Sequence, residues 1–373
     1  MRYIFSCGGT AGHINPAIAI ADKLRELDEK SEIYFVGKEG GMEKTLVERA
    51  GYPIFGLDVM GIRRSLTLDN ITALIKAFNA TRKAEKLIEE LKPDAVIGTG
   101  GYACYPMLKA AAKKGIYTVL HESNAVPGLA VKMLKKKVSR IFVSFEACKE
   151  RLSVGEKCTV SGNPVSAGFL KITRDEARER LGMLGKYRYL IVSFGGSLGA
   201  NTVNKCALDV MESISSKRSD VMHVHSCGKG ASSEFFAELE ARGYRKCKNI
   251  SVSEYLYDMP LYLKAADVVM CRSGAMTLAE IAATGVASVL IPSPNVTANH
   301  QYENAYVLAS KNAAFLVDEK RENELSRAVG YVRDLLNHAE IRREMAENVR
   351  SFSYENASEI IAKDILKQKI SAY

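Results

Sequence analysis

Short runs of apolar residues alternate along the chain with longer stretches in which apolar positions recur every three or four residues. The short runs predict buried strands, and the longer stretches predict amphipathic helices. We predict strands at 3–6, 33–36, 95–97, 117–120, 140–143, 159–160, 189–194, 221–225, 250–253, 267–270, 288–291 and 314–317. Helical patterns lie between most neighbours, for example at 17–28, 83–91 and 276–284. This alternation predicts an α/β protein with parallel sheets covered by helices on both faces.

The chain of 373 residues is long enough for two such domains. The turn cluster Ser161-Gly162-Asn163-Pro164 is the clearest boundary, because it follows a strand and the next clear strand begins near Tyr189. We therefore predict doubly wound, Rossmann-like domains at 1–162 and 163–349. The helical stretch 340–368 is interrupted at 351–353, and we expect residues 350–373 to pack back on the first domain.

Both predicted domains open with a strand, a glycine-rich turn and a long helix. We call Gly8-Gly9-Thr10-Ala11-Gly12-His13 the first glycine turn and Gly195-Gly196-Ser197-Leu198-Gly199 the second glycine turn. Such a turn presents backbone N–H groups at a helix N-terminus, which is an anion-binding arrangement. Two further turns, at 98–102 and 272–275, also follow predicted strands, where ligands of open α/β sheets bind.

A dinucleotide site is disfavoured at the first glycine turn. Cys7 stands where the first glycine of G-x-G-x-x-G belongs, and the expected acidic residue at the end of the second strand is missing because Glu39 lies well past the predicted strand. A purely structural turn is the simpler alternative for a single motif of this kind. Two such turns in equivalent places favour a ligand-binding function.

The eight cysteines show no C-x-x-C pair and no zinc spacing, so we expect small buried side chains and no metal site. No run of 18 uncharged apolar residues is present, and no signal peptide precedes the first strand. A composition of 47% hydrophobic and 25% charged residues is typical of a globular protein. We therefore expect a reduced, cytoplasmic chain that does not span a membrane.

The formal net charge of +9 is concentrated in one region. Residues 63–140 contain 15 Lys and Arg against 6 Asp and Glu, a net charge that equals the total of the chain. Within this region a basic run, 132–137, follows an amphipathic stretch with helical spacing. A solvated basic face is the alternative, but the concentrated charge favours peripheral docking on an anionic membrane. Nucleic acid is disfavoured because aromatic residues are not interleaved with the basic run. The predicted docking residues are Ile62, Arg63, Arg64, Leu66, Leu74, Ile75 and Phe78.

Taken together, the motifs resemble those of a known family over nearly the whole chain. Residues 8–13, His121-Glu122-Ser123-Asn124, 161–165, 195–200 and 271–285 are similar to the MurG enzymes of glycosyltransferase family 28. The resemblance implies the GT-B fold, with two Rossmann-like domains and an interdomain cleft. It also implies an inverting transfer of N-acetylglucosamine from UDP-GlcNAc to the C4 hydroxyl of the muramoyl sugar of lipid I, which gives lipid II. The enzyme would work at the cytoplasmic face of the cell membrane, without a metal or another cofactor.

The resemblance also assigns donor contacts by position. The diphosphate and the transferred sugar would lie against the two glycine turns, the uracil against the Leu256 backbone, and the ribose hydroxyls against Glu280. Ser166 departs from the pattern, because some members carry an arginine there and a short hydroxyl cannot form an arginine clamp. The implied donor-binding residues are Thr10, Ala11, Gly12, Asn124, Ser166, Ser197, Leu256, Ala275, Met276, Thr277, Leu278, Ala279, Glu280 and Gln301.

An inverting transfer needs a base for the acceptor hydroxyl, and two residues qualify. His13 begins the first helix, where the helix dipole favours the neutral, basic imidazole. Glu122 follows an apolar strand, and partial burial would make its carboxylate a stronger proton acceptor. We assign both to acid–base chemistry without ranking them; a helix-capping role is the alternative for His13. For Glu280 the alternative is a capping box with Thr277.

Three other functions remain as alternatives. The chain could be another GT-B glycolipid glycosyltransferase, a UDP-GlcNAc 2-epimerase, or a non-catalytic protein that binds a nucleotide sugar. An epimerase would need no lipid-docking surface. The presence of His13, Glu122 and Glu280 argues against a non-catalytic role.

Overall fold

The structure is a computed structural model that describes residues 1–59, 68–166, 168–196, 198–321 and 323–367. The side chains of 68–78, 170 and 297 lie outside this description. The chain divides into two compact units: unit 1 contains 1–166 and 354–373, and unit 2 contains 167–353. The change from unit 1 to unit 2 therefore falls four residues after the predicted boundary.

Unit 1 is built on a parallel sheet, and seven strands of it lie in the described part of the chain, in the order β3-β2-β1-β4-β5-β6-β7. Each strand pairs in parallel with its neighbours. The elements are β1 Arg2–Ser6, α1 Ala11–Leu27, β2 Glu32–Lys38, α2 Met42–Arg49, β3 Ile54–Leu57, α3 Leu68–Leu91, β4 Ala95–Gly98, α4 Cys104–Lys113, β5 Tyr117–Glu122, α5 Leu129–Leu134, β6 Arg140–Val143, α6 Glu146–Leu152 and β7 Cys158–Val160.

Unit 2 repeats this arrangement with six described strands in the order β10-β9-β8-β11-β12-β13, again all parallel. The elements are α7 Gly168–Lys171, α8 Arg174–Arg180, β8 Tyr189–Phe194, α9 Asn201–Ser213, β9 Val221–Ser226, α10 Ser232–Ala241, β10 Ile250–Ser253, α11 Met259–Ala265, β11 Val268–Cys271, α12 Ala275–Thr284, β12 Ala287–Leu290, α13 His300–Ala309, β13 Phe315–Leu316, α14 Glu324–Asn337 and α15 Ala339–Arg350.

The last helix, α16 (Ala357–Lys367), belongs to unit 1 and packs against α1. Its residues Ile361 and Ile365 are fully buried in the same core as Tyr3 and Phe5 of β1. Tyr117 on β5 donates a hydrogen bond to Asp364 at 2.7 Å. A separate core lies under the sheet of unit 2. The end of the chain therefore completes the core of the N-terminal unit.

Two local differences from the predicted elements have clear causes. Strand β3 was not predicted, because it is short and contains Gly56 in its middle. Strand β2 extends to Lys38, whose backbone pairs with Leu57 of β3, so Glu39 follows the strand directly. The statement that Glu39 lies well past the strand is therefore wrong.

Helix α1 begins at Ala11, six residues before the predicted start, and continues through Pro16. Pro16 is the sixth residue of this helix and has no N–H to donate to the Gly12 carbonyl, so α1 lacks one backbone bond near its N-terminus. All eight cysteines are free and seven of them are buried, as expected.

The first six strands of each unit have the same order in the sheet, and this places the glycine-rich turns at equivalent points. In each unit the order in which strands are added to the parallel sheet reverses between two neighbouring strands, β1 and β4 in unit 1, and β8 and β11 in unit 2. The first glycine turn and the turn at 98–102 follow β1 and β4, and the second glycine turn and the turn at 272–275 follow β8 and β11. Ligands of doubly wound sheets bind at this switch point.

Candidate functional site

The first glycine turn fixes the proton position on His13. Its Nδ1 lies 3.0 Å from the carbonyl oxygen of Gly8. Because a carbonyl only accepts, Nδ1 carries the proton, and Nε2 of the neutral ring keeps its lone pair. Gly100, at φ +111°, lies so close to the ring that an added Cβ would be 2.6 Å from His13 Cδ2. Thr99 Oγ1 donates to the His13 carbonyl oxygen at 2.6 Å. The His13 ring therefore lies between the Gly8 carbonyl oxygen and Gly100, and its Nε2 keeps the lone pair.

A buried carboxylate that the sequence analysis did not identify lies beneath this turn. Glu43 on α2 is only 1% exposed, and its Oε1 accepts hydrogen bonds from the backbone N–H of Gly9 at 3.2 Å and of Lys38 at 3.0 Å. This contact occupies one N–H of the turn and places a negative charge beside it. The cluster of glycines around Glu43, at 37, 40 and 41, is the signal that could have indicated it.

Glu122 lies at the end of β5, and its carboxylate is already engaged. Oε1 accepts from both the backbone N–H and the side-chain amide of Asn124, each at 3.0 Å, and Oε2 accepts from Gly128 N at 2.8 Å. The Glu122 side chain is buried, and its hydrogen bonds fix the loop between Glu122 and Gly128. His121 beside it donates from Nε2 to Gly162 O at 3.1 Å, and burial lowers the pKa of this imidazole to about 4. This bond ties the end of β5 to the turn at Gly162.

The second glycine turn packs against the turn that follows β9. Gly196 and Gly199 have φ of +93° and +81°, and Gly199 N donates to Gly196 O at 3.0 Å. A Cβ on Gly199 would collide with the carbonyl oxygen of Cys227, and a Cβ on Gly228 would collide with the Gly199 backbone. Only glycine allows the two turns this close approach. The predicted donor contact Ser197 lies outside the described residues.

A directional hydrogen-bond chain supports these two turns from below. The Cys227 carbonyl accepts from Asn204 Nδ2 at 3.0 Å, so Asn204 Oδ1 faces His225 and accepts from its Nε2 at 3.2 Å. The other nitrogen of His225 then accepts from Ser193 Oγ at 2.8 Å, and this oxygen accepts from His223 Nε2 at 2.8 Å. Every donor direction in the chain is fixed by the carbonyl at its end.

Both histidines of the chain are completely buried and neutral. Burial lowers the pKa of His223 and of His225 to about 3, and Ser215 Oγ donates to the remaining nitrogen of His223 at 3.0 Å. The sequence analysis did not single out these residues. His223 and His225 are two residues apart on an otherwise apolar strand, so their side chains lie on the same face of the sheet. That pattern could have indicated a buried polar network.

Glu280 lies on α12 in a partly buried position. Desolvation raises the pKa of its carboxyl group to about 8, and among the described residues no hydrogen-bond partner for the carboxylate is found. The capping-box alternative is wrong, because α12 starts after Gly274 and has no side-chain capping bond, which puts Thr277 inside the helix. Within the described part of the chain, Glu280 therefore has no local structural partner.

The other predicted residues of α12 differ in what they can offer a ligand. Met276 and Leu278 are buried in the unit 2 interior, and the Leu278 N–H donates to Gly274 O at 3.0 Å. The backbone N–H groups of Met276 and Thr277 belong to the first helical turn, which has no intrahelical acceptors for them. Ala279 is partly exposed.

The turn after β11 connects this helix to α13. Ser273 Oγ donates to the Gln301 carbonyl at 2.8 Å, and Gln301 Oε1 accepts from Ser293 N at 2.9 Å, so the Gln301 amide nitrogen remains as a donor. Arg272 forms a partly buried ion pair with Glu319 of the same unit at 2.7 Å. Leu256 is 6% exposed in the loop after β10.

Three helices that follow glycine-rich turns share an electrostatic feature. Helices α1, α9 and α12 have no acidic residue in the first turn, and within the described parts of the chain none has a side-chain capping bond. By contrast, α8 has a complete capping box with two acidic residues in its first turn. Uncapped N–H groups and the positive end of the helix dipole favour an anion.

The predicted membrane-docking residues cannot be compared with the structure. Residues 60–67 lie outside the described part of the chain, as do the side chains of Leu74, Ile75 and Phe78. The basic run at 132–137 is described, and α5 exposes Leu129 (60%) and Met133 (46%) one turn apart. No helix within the described residues is long and apolar enough to cross a bilayer.

Comparison with known proteins decides the family. The model of the glycosyltransferase family 28 N-terminal domain matches residues 3–143, and that of the family 28 C-terminal domain matches residues 190–363. The chain belongs to glycosyltransferase family 28. Relatives named UDP-N-acetylglucosamine–N-acetylmuramyl-(pentapeptide) pyrophosphoryl-undecaprenol N-acetylglucosamine transferase include that of Acetivibrio thermocellus, 39% identical over 99% of each chain. The protein of that name from Bacillus subtilis is 35% identical over 96% of this chain and 97% of the relative.

Solved structures show the same fold. Acinetobacter baumannii MurG matches with a TM-score of 0.73 and 27% identity over 98% of this chain and 99% of that chain. The UDP-GlcNAc 2-epimerase of Neisseria meningitidis matches with a TM-score of 0.68, but at 16% identity it shows the fold alone. The resemblance to the MurG enzymes and the expected GT-B class, two Rossmann-like domains, are confirmed.

Proposed function

We propose that this family 28 glycosyltransferase transfers N-acetylglucosamine from UDP-GlcNAc to the C4 hydroxyl of the muramoyl sugar of lipid I, giving lipid II. The observation that carries the proposal is the full-length similarity to enzymes named for this transfer, at 35–39% identity. Two features of the site support it. His13, one of the two candidate bases, has its Nδ1 bonded to Gly8 O, and Glu280, which the resemblance assigns to ribose binding, has no hydrogen-bond partner for its carboxylate among the described residues.

Unit 2 would bind the UDP part of the donor. The ribose hydroxyls would donate to the Glu280 carboxylate, which has no competing partner in the described part of unit 2. The diphosphate would lie at the N-termini of α9 and α12, where uncapped N–H groups stabilise the charge that develops on the departing UDP. Gln301 would donate its amide N–H to a sugar hydroxyl. In this proposal no metal is needed to hold the diphosphate.

Unit 1 would supply the base. The Nε2 atom of His13 has its lone pair available because Nδ1–H is bonded to Gly8 O, and it would take the proton of the acceptor hydroxyl as the bond to the anomeric carbon forms. Glu122 is the weaker candidate, because three N–H groups already donate to its two oxygens. We assign to Glu122 the shaping of the loop that carries Asn124, which would contact the transferred sugar.

We further propose that unit 1 docks peripherally on an anionic membrane at the cytoplasmic face. Leu129 and Met133 on α5 are exposed, and exposed Lys132, Lys136 and Lys137 flank them. Apolar side chains inserted beside lysines are the usual means by which a non-spanning protein binds anionic lipid. A polyprenyl acceptor would be reached there without a spanning helix.

One assay separates the proposed transfer from its alternatives. The purified chain is incubated with UDP-GlcNAc and a short-chain lipid I analogue, and both UDP release and the disaccharide product are measured. We expect UDP release that requires the acceptor and matches the product in amount. Release without the acceptor would indicate hydrolase or epimerase chemistry, and transfer to a diacylglycerol but not to the lipid I analogue would indicate another glycolipid glycosyltransferase.

A further inference from the structure

Glu43 is a buried carboxylate for which the proposed transfer has no direct use. It is 1% exposed and has no ion-pair partner among the residues that the structure describes. Burying an unpaired carboxylate is costly, so its retention calls for a specific set of donors. The space for it is made by three glycines: a Cβ on Gly8, Gly37 or Gly41 would collide with the Glu43 side chain.

The two hydrogen bonds around the Gly8–Gly9 peptide join this carboxylate to His13. The N–H of that peptide unit, contributed by Gly9, donates to Glu43 Oε1 at 3.2 Å. The C=O of the same unit, contributed by Gly8, accepts from His13 Nδ1 at 3.0 Å. One peptide group therefore has the carboxylate at one end and the imidazole at the other.

We propose that Glu43 is a positioning residue that acts on His13 through the Gly8–Gly9 peptide, holding the imidazole in its Nδ1–H form and stabilising the imidazolium. A negative charge at the N–H end polarises the peptide and makes its carbonyl oxygen a stronger acceptor. The stronger acceptor keeps the proton on Nδ1 and leaves Nε2 basic. The inference rests on the proposed function, in which His13 is the base.

The other titratable groups near His13 do not change charge in the working pH range. His121 on β5 interacts with His13, but burial lowers its pKa to about 4, so it stays neutral. Cys7, at the start of the turn, is fully buried, and burial raises the pKa of its thiol, so it stays protonated. Glu43 is therefore the charge to test.

The first test observes His13 by ¹⁵N NMR in the full-length chain without substrates, so that its result does not depend on the proposed activity. We expect the Nδ1–H form of neutral His13 in the wild type. In Glu43→Gln, which keeps an oxygen acceptor and removes the charge, we expect the ionisation of His13 to move to lower pH by about half a unit. Glu48→Gln, an exposed position on the same helix, is the matched control and should leave the titration unchanged.

The second test measures kinetics. We expect Glu43→Gln to lower kcat about tenfold and to move the acidic limb of the kcat/KM profile to lower pH, with the donor KM within about twofold. Gly37→Ala, whose Cβ would displace the Glu43 side chain, should act in the same direction. The double variant His13→Ala with Glu43→Gln should be no slower than His13→Ala alone, because Glu43 acts through His13.

Several outcomes would overturn the proposal. An Nε2–H form in the wild type would do so without any variant, and so would an unchanged His13 titration in Glu43→Gln. A purely structural role would lower the unfolding temperature and leave the pH profile in place. Failure of the wild type in the transfer assay, with the NMR results as expected, would instead reject the proposed function and leave the coupling of Glu43 to His13 established.

Discussion

His13 Nδ1 donates to the Gly8 carbonyl oxygen at 3.0 Å, and this bond leaves Nε2 as the accessible basic atom of the ring. We expect His13→Ala to lower kcat by about 10²- to 10⁴-fold, the usual contribution of a general base, with the donor KM within about threefold. Steady-state kinetics with the lipid I analogue measure both constants.

The comparison variant is Glu122→Gln. The amide group that replaces one oxygen cannot accept, so one of the N–H groups of Asn124 or Gly128 loses its partner. We expect a loss of about 1–3 kcal/mol in the free energy of unfolding and a smaller decrease in kcat than for His13→Ala. If Glu122→Gln abolished turnover and His13→Ala retained it, the base would be Glu122.

The raised pKa of Glu280, about 8, predicts pH-dependent donor binding. Ribose hydroxyls donate to the ionised carboxylate, so the donor KM should fall as the pH rises from about 6.5 towards about 8. Glu280→Gln should remove this dependence and weaken UDP binding about tenfold or more, because charge-assisted bonds are lost. Calorimetric titration with UDP at several pH values measures the effect. If the affinity of the wild type for UDP did not change with pH, Glu280 would not be uncharged in the free enzyme.

The same shift has a consequence for stability. A carboxyl group whose pKa is higher in the folded state favours folding at low pH, and this contribution is lost as the pH rises through about 8. Glu280→Gln should therefore unfold at a higher temperature than the wild type at pH 9. The two proteins should be closer at pH 5.

The buried histidines of unit 2 predict the opposite trend on the acid side. His223 and His225 stay neutral in the folded state, with pKa values lowered to about 3, but gain protons below about pH 6.5 when unfolded. Each should reduce the free energy of unfolding by about 1.4 kcal/mol per pH unit between about pH 6 and 4. Urea denaturation across this range measures the slope, and a slope no steeper in the wild type than in His223→Asn would contradict the buried, neutral state.

A matched pair of glycines separates backbone strain from ligand binding. Gly199 and Gly185 both have positive φ, +81° and +73°, but only Gly199 contacts another turn, and Gly185 has open space around it. The backbone strain of alanine at such a φ costs about 1–2 kcal/mol in either place. At Gly199 the added Cβ also collides with the Cys227 carbonyl oxygen and would displace the second glycine turn. We expect Gly199→Ala to weaken UDP binding at least tenfold and Gly185→Ala to leave it unchanged. Equal UDP affinity in both variants would argue against a donor site at the second glycine turn.

Membrane docking is tested with exposed apolar residues in both units. Leu129→Ser with Met133→Ser should reduce co-sedimentation with anionic vesicles at low salt severalfold, because two inserting side chains are lost. Leu184→Ser in unit 2, 59% exposed in the wild type, is the control and should bind like the wild type. Unchanged binding of the double variant would place the docking surface elsewhere.

The periodicity of the sequence was sufficient for the two parallel sheets, since most of their strands are short apolar runs bounded by turns. It missed β3, an edge strand in which Gly56 breaks the apolar run. The glycine turns could be recognised because each is a run of neighbouring residues, whereas Glu280 was assigned through the resemblance to the family. Glu43 was missed although glycines at 37, 40 and 41 lie beside it in the sequence. Its burial also depends on Gly8, which approaches it only in the folded chain, and a glutamate at the second position of a helix is ordinarily a surface residue.

The packing of α16 on α1 also bears on the order in which the protein folds during synthesis. Ile361 and Ile365 pack in the core beneath β1, yet they are synthesised after all of unit 2. Unit 2, which is continuous from 167 to 353, has its whole sequence available before them. Domains fold as units as they emerge. The unit whose first strand is translated earliest therefore completes its core only after the whole of unit 2 has been synthesised.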